Sequence, residues 1–265
     1  MNECRIGVVG CGGRMGRMLI AEIAGTEGAV VAGGSSRIAG QDLGTLAGLA
    51  PLGIATGTDP AALIAASDAI IDFTVPEATV RNAELAAASG KVLIIGTTGI
   101  DAAQTRAIET AARHTPIVWS PNMSLGVNLL MGLVSQVAAT LGPDYDIEIV
   151  EMHHRMKIDA PSGTALGLGR AAAAGRGVPL EDVWVKSRGG HTGKRENGTI
   201  GFATLRGGDV VGDHTVMFAG LGERIELTHK AADRRIYARG AVRAALWAKG
   251  RTPGLYGMKD VLGLR

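Results

Sequence analysis

The chain has 265 residues, enough for one large or two modest domains, and its 46% hydrophobic and 20% charged residues are ordinary for a soluble globular protein with a sizeable core. A formal net charge of +2, without basic runs interleaved with aromatics, argues against a polyanion, so no nucleic-acid partner is expected. Two cysteines, Cys4 and Cys11, make neither a disulfide framework nor a metal-ligand set, which fits a reducing cytoplasm and no bound metal.

The chain runs from Glu3 and Arg5 straight into a short apolar strand, without the charged start and apolar core of a signal peptide. Residues 5–9 read as a buried strand, followed by Gly10-Cys11-Gly12-Gly13-Arg14-Met15-Gly16 and a helical pattern over 17–24. Strand, glycine turn and helix form a dinucleotide-binding opening, because glycines let a pyrophosphate approach the unpaired amides of the helix start. The spacing is G-x-x-G-x-x-G on Gly7, Gly10 and Gly13 and not G-x-G-x-x-G, since position 15 is Met. With 40 glycines in the chain, this turn needs support from elsewhere.

The next strand, 30–33, leads into Ser35-Ser36-Arg37, and the nearest acid is Asp42. An acid at that strand end would bond a ribose diol, whereas Arg37 suits a 2′-phosphate, so NADPH should be used at least as well as NADH. Strands over 69–73, 92–95 and 117–119 alternate with helices over 76–89 and 101–114, which predicts a parallel sheet. Ligands of such sheets bind beyond the carboxyl ends of the strands. The turns Phe73-Thr74, Gly96-Thr97-Thr98 and Ser120-Pro121-Asn122 should line that crevice.

After Met123 the pattern changes. Residues 127–141 look helical, and the apolar stretch 125–141 is interrupted by Asn128, Ser135 and Gln136, so no transmembrane helix and no membrane partner are expected. Alternation over 145–150 predicts a strand that delivers His153 and His154 to its end. Residues 151–166, E-M-H-H-R-M-K-I-D-A-P-S-G-T-A-L, concentrate reactive side chains. Pro161 breaks the strand and Ser162 can cap a helix over 164–174. Gly163 and Thr164 at its N-terminus suit a carboxylate, Lys157 adds positive charge, and two imidazoles can exchange protons near neutral pH. The set suggests an acidic small molecule that is protonated during reaction.

The segment 188–195 is polar and glycine-rich and reads as a solvated, mobile loop. Residues 200–205, 210–218 and 224–230 alternate and read as neighbouring antiparallel strands with one exposed face, which invites pairing between subunits. A last helix over 235–249 should return to the first domain. The expected fold is α/β: a Rossmann-type doubly wound parallel sheet in a dinucleotide-binding domain, 1–124 with 234–265, and a second α+β domain on a mixed, mostly antiparallel sheet, 125–233, for substrate binding and oligomerisation.

Nearly the whole chain resembles the 4-hydroxy-tetrahydrodipicolinate reductase (dihydrodipicolinate reductase) family, most specifically at E-M-H-H-R-M-K-I-D-A-P-S-G-T-A (151–165), G-C-G-G-R-M-G (10–16), D-F-T-V-P-E (72–77), G-T-T-G (96–99) and H-T-G-K-R (191–195) leading into G-T-I-G-F-A-T (198–204). The resemblance implies reduction of a cyclic unsaturated imine dicarboxylate by NADH or NADPH with loss of water, giving tetrahydrodipicolinate for diaminopimelate and lysine, in a homotetramer. It implies that Gly10, Cys11, Gly12, Gly13, Arg14 and Met15 cradle the pyrophosphate, and that Gly96, Thr97, Thr98, Ser120, Pro121, Asn122 and Met123 contact the nicotinamide half. His154, Gly163 and Thr164 then hold substrate carboxylates, and His153 and Lys157 transfer the proton. The chain departs from the family at Met123, often aromatic, and at Val75, Arg in some members. Hydride transfer requires the two domains to meet, and hinges are expected near 121–126 and 231–235.

Two alternatives remain at this stage. One is another two-domain dehydrogenase, of aspartate-semialdehyde or homoserine type; the semialdehyde type needs a thiol nucleophile, and Cys4 and Cys11 both sit around the first strand and its turn. A non-catalytic NAD(P)-binding redox sensor would keep the glycine turn but would not require His153, His154 and Lys157 together.

Overall fold

The computed structural model describes residues 3–264. In chain order the elements are β1 (Cys4–Val9), α1 (Arg14–Ala24), β2 (Ala29–Ser35), α2 (Leu43–Leu46), α3 (Pro60–Ala65), β3 (Ala69–Asp72), α4 (Pro76–Ser89), β4 (Val92–Ile95), α5 (Ala102–Ala112) and β5 (Pro116–Trp119). There follow α6 (Leu125–Leu141), β6 (Asp146–His153), α7 (Gly163–Gly175), α8 (Leu180–Val183), β7 (Trp184–Val185), β8 (Ile200–Arg206), β9 (Gly212–Ala219) and β10 (Arg224–Ala231), then α9 (Arg235–Ala248), β11 (Gly254–Tyr256) and α10 (Met258–Leu262). The described residues through Leu125, with Arg235–Gly263, form one compact unit; Gly126–Arg234 with Leu264 form a second.

The first unit is built on a parallel sheet of order β11-β5-β4-β3-β1-β2. Side chains alternate across it. Ile6, Val8, Ile71, Ile94 and Val118 pack with α1 and α9, whereas Val9, Ile70, Leu93, Ile95 and Ile117 pack with α3, α4 and α5. The sheet is therefore doubly wound. Helix α1 buries Gly16, Leu19, Ile20 and Ile23, a spacing that keeps one stripe on the sheet. At α5, Asp101 accepts from Gln104 N at 2.8 Å and Gln104 Oε1 accepts from Asp101 N at 3.0 Å, a reciprocal cap. Four short elements of this unit, α2, α3, β11 and α10, were not legible in the sequence, and β11 joins the sheet at the edge that β5 offers.

The second unit has a mixed sheet of order β10-β9-β6-β8-β7, with β6 antiparallel to β9 and parallel to β8. This corrects the expectation that the three late strands are neighbours. Strand β6 lies between β8 and β9, and the connection 207–211 crosses its end, where Gly207 N bonds His153 O and His154 N bonds Val210 O. Alternation tells which face a residue takes, not which strand stands beside it. Ile147, Ile149, Glu151 and His153 face inward toward α6 and α7.

The two ends of the segment 188–195 are tied down. Arg188 grips both oxygens of Glu148 at 2.8 and 2.9 Å, and Arg195 bonds Glu148 at 3.0 Å and Asp146 at 2.6 Å. A Cβ at Gly201 would collide with the Glu148 carboxylate, so a glycine stands where β8 passes under it. Helix α6, continued to Asp144, is long and apolar enough to cross a membrane by length and composition alone, despite Asn128, Ser135 and Gln136. Its Leu130, Val134 and Ala138 nevertheless pack into the core with Ile147, Ile149, Leu168 and Phe202, which is the arrangement of a core helix.

Candidate active site

In the first unit the chain leaves β1 at Gly10, whose φ of +71° is a left-handed turn conformation that favours glycine. Gly13 precedes α1, and Arg17 N to Gly13 O is the first helical bond, so the amides of Arg14, Met15 and Gly16 lie ahead of the hydrogen-bonded ladder. A Cβ at Gly16 would collide with Gly10 O and stand 2.6 Å from Cys11 Cα. Gly16 therefore provides the close helix–turn packing that the sequence reading sought at position 15. Gly7 belongs to β1, and its missing side chain makes room for Ser67 and Ile70. No acid occupies the first turn of α1. A dinucleotide pyrophosphate fits this end of the sheet, with amides and helix dipole aimed at it.

Cys11 is fully buried, and its N–H bonds Ser35 O at 3.1 Å. Arg37 is exposed, with no ion pair or hydrogen bond among the described residues, while Asp42 is occupied with the amides of Thr45, Leu52 and Gly53 at 2.9, 3.2 and 2.8 Å. Those amides hold the Asp42 carboxyl below its ordinary range. The turn after β3 is organised by the first residue of the D-F-T-V-P-E motif. Asp72 is fully buried and accepts from Thr74 N at 2.8 Å, Thr74 Oγ1 at 2.6 Å and Asn82 Nδ2 at 2.9 Å, and its carbonyl accepts from Gly96 N at 2.9 Å. Thr97 Oγ1 lies 3.4 Å from Asp72 Oδ1, so the Gly96-Thr97-Thr98 turn hangs on this carboxylate, with Thr98 exposed. Ser120 Oγ bonds Asn122 O at 2.8 Å beside exposed Pro121. Met123 is 1% exposed and packs in the core, with its carbonyl against Gly240, so its side chain does not line the crevice.

In the second unit His153 ends β6, 8% exposed, with Nδ1 2.6 Å from Glu151 Oε2. Glu151 is 1% exposed and also accepts from Ser162 N at 3.0 Å and from both terminal nitrogens of Arg206 at 2.8 and 2.9 Å. Ser162 caps α7: its Oγ accepts from Ala165 N at 3.1 Å and lies 3.1 Å from His214 Nε2. Gly163 and half-buried Thr164 open the helix. Lys157 Nζ reaches Asp159 Oδ1 at 2.7 Å, and Arg234 approaches His154 Nε2 at 3.4 Å. The sequence-predicted set thus gathers around the end of β6 and the start of α7. Glu151, Ser162, Arg206, His214 and Arg234 join it. Glu151 was detectable, since it shares the inward face of β6 with His153, and an inward acid requires partners.

Burial would raise the Glu151 carboxyl, but bonds from Arg206, His153 and Ser162 outweigh it and hold the group ionised, below its ordinary range. Burial lowers His153, and Lys157 and Arg206 add to this against the opposing pull of Glu151. His214 is pushed down to about 4, first by burial and then by His153, so it is neutral at physiological pH. A cavity of about 550 Å³ opens elsewhere in this unit, against Gly142, Arg176 and Glu196–Thr199, and contains none of these histidines.

A doubly wound sheet with a dinucleotide cradle, followed by a unit that sets imidazoles and a helix N-terminus together, defines an NAD(P)-dependent oxidoreductase of two domains. The models for the dihydrodipicolinate reductase N-terminus and C-terminus match residues 4–123 and 126–262. The chain is 59% identical to the 4-hydroxy-tetrahydrodipicolinate reductase of Rhodopseudomonas palustris (strain BisB18), over all of this chain and 99% of that one. It is 58% identical to that of Afipia carboxidovorans, over all of this chain and 98% of the relative. A dipicolinate-bound dihydrodipicolinate reductase from Paenisporosarcina sp. TG-14 shares the fold, with a TM-score of 0.78, 23% identity, and coverage of 97% of this chain and 99% of that one. The chain belongs to the dihydrodipicolinate reductase family and is an NAD(P)H-dependent oxidoreductase.

Proposed function

We propose that the chain reduces 4-hydroxy-tetrahydrodipicolinate to tetrahydrodipicolinate with loss of water, in the synthesis of diaminopimelate and lysine. One observation carries this reading beyond the family assignment. A single carboxylate, Glu151, bonds both His153 and Ser162, the cap of α7, so a proton-exchanging imidazole is fixed beside a helix N-terminus suited to carboxylates.

The bound nicotinamide supplies a hydride. The chain's own residues do the rest: the turn Gly10–Met15 would hold the pyrophosphate, with the helix-start amides of Arg14 and Met15 ahead of the hydrogen-bonded ladder, and the turns Gly96-Thr97-Thr98 and Ser120–Met123 would orient the nicotinamide half. His154, Gly163 and Thr164 hold the substrate carboxylates. Lys157 and His153 stabilise the electron-rich product of hydride addition and pass it a proton. Domain roles follow the same division, with the dinucleotide on the first unit and the dicarboxylate on the second.

Two further parts of the reading rest on exposure and composition. The outer face of the second sheet carries Val150, Met152, Ala203, Met217 and a Leu205 that is 49% exposed, a surface that supports assembly into a homotetramer. A cytoplasmic location accords with two buried free thiols, Cys4 and Cys11. The test is oxidation of NADPH or NADH by purified protein given freshly generated substrate, with dipicolinate as competitor. Binding of NADPH without turnover would favour the sensor alternative and end the catalytic reading.

A further inference from the structure

Glu151 presents four acceptor positions and fills them with four donors: Ser162 N and Arg206 Nη2 on Oε1, Arg206 Nη1 and His153 Nδ1 on Oε2. An ionised carboxylate can only accept, and an amide and a guanidinium can only donate. The remaining contact, 2.6 Å to Nδ1, is therefore an Nδ1–H bond, short as a bond to a charged acceptor should be. This leaves Nε2 as the ring atom able to gain or lose a proton. Nε2 makes no hydrogen bond among the described residues, and a Cβ on Gly212 would stand 3.0 Å from it, so a glycine there avoids crowding that nitrogen.

The neighbouring imidazole is the useful contrast. His214 stands edge-on to His153, ring centres 5.0 Å apart, but among the described residues no carboxylate bonds it. Its Nε2 is engaged with Ser162 Oγ, and its Nδ1 is buried without a partner among the described residues. Of two adjacent buried histidines, one is equipped to carry charge and the other is not.

We propose that Glu151 is a positioning residue for the proposed reaction, holding His153 as the Nδ1–H tautomer so that Nε2 meets substrate, and that Arg206 is the counter-charge that limits the pull of Glu151 on that ring. The proposal rests on the reading of His153 as a proton-transfer group. The groups facing His153 are Glu151 on its own strand, Arg206 on β8 in register with it, His214 on β9, and Lys157 on the following loop, itself paired with Asp159. Glu151 is the ionised acid bonded to the ring, and Arg206 is bonded to Glu151. Their removal should therefore move the ring's proton affinity in opposite directions.

The experiment combines pH profiles of kcat/KM with ¹⁵N NMR of the ring nitrogens. Glu151→Gln keeps the shape and removes the charge: kcat/KM at neutral pH should fall by about 10-fold or more, KM for NADPH should stay unchanged, and the limb on which His153 loses its proton should move to lower pH. Arg206→Gln should move that limb to higher pH. In the wild-type protein the His153 signals, assigned by their loss in His153→Gln, should report a protonated Nδ1. Shifts in the same direction, no shift in either variant, or an Nε2–H tautomer in the free protein would each overturn the proposal. If a variant does not fold, the wild-type tautomer decides alone. Near-normal turnover in His153→Gln would sink the role of His153 itself, while the tautomer measurement would still judge the clamp.

Discussion

Lys157 Nζ lies 2.7 Å from Asp159 Oδ1, on a loop that begins where β6 delivers His153. Bonding from Lys157 is the leading cause that holds the Asp159 carboxyl below its ordinary range, and that carboxylate is half-exposed. The pair is worth little to stability at such exposure, and it holds the ammonium on the loop between β6 and α7. Lys157→Ala and His153→Gln should each lower kcat by about 10²-fold or more and leave NADPH affinity largely intact. Stopped-flow turnover alongside fluorescence titration of NADPH separates the two effects; near-normal kcat in either variant removes that residue from the chemistry.

The buried His214 makes stability depend on pH. Its folded value of about 4 lies below the ordinary 6.5, so the unfolded chain binds more protons in that range. The contribution is fully present above about pH 6.5 and is lost as pH falls toward 4. It amounts to on the order of 3 kcal/mol at most, from a shift worth about 1.4 kcal/mol per unit. Urea denaturation between pH 7 and pH 4 should show falling stability, and His214→Gln should flatten that fall. An unchanged slope in the variant would mean that other groups carry the acid sensitivity.

Arg37 is expected to distinguish the two cofactors. It stands exposed after β2 without a partner among the described residues, and the nearest acid, Asp42, is committed to three backbone amides. Arg37→Ala should raise KM for NADPH and leave NADH nearly unaffected, because only the former brings a 2′-phosphate to that place. Equal weakening of both cofactors, or of neither, would refute the assignment.

The outer face of the second sheet predicts the assembly state. With Leu205 exposed among Val150, Met152, Ala203 and Met217, a lone chain would leave this surface wet. Light scattering should give about four times the chain mass of 27.2 kDa. A monomer mass at micromolar concentration would count against the tetramer.

The order of strands and helices in the first unit was legible because β1, β3 and β4 are short apolar runs separated by capped helices such as α5, and such alternation admits little but a parallel sheet. The reactive stretch 151–166 was equally plain, since histidines, a lysine and a helix cap are rarely adjacent without use. What the local pattern could not supply was partnership across distance. Glu151 finds Arg206 on another strand, His214 reaches Ser162 from β9, and β6 separates β8 from β9, all through pairings between residues far apart in the chain. Hydrophobic periodicity specifies which face of an element is buried. The neighbour that face meets, and with it the charge state and tautomer of His153, is decided only when the strands choose their order.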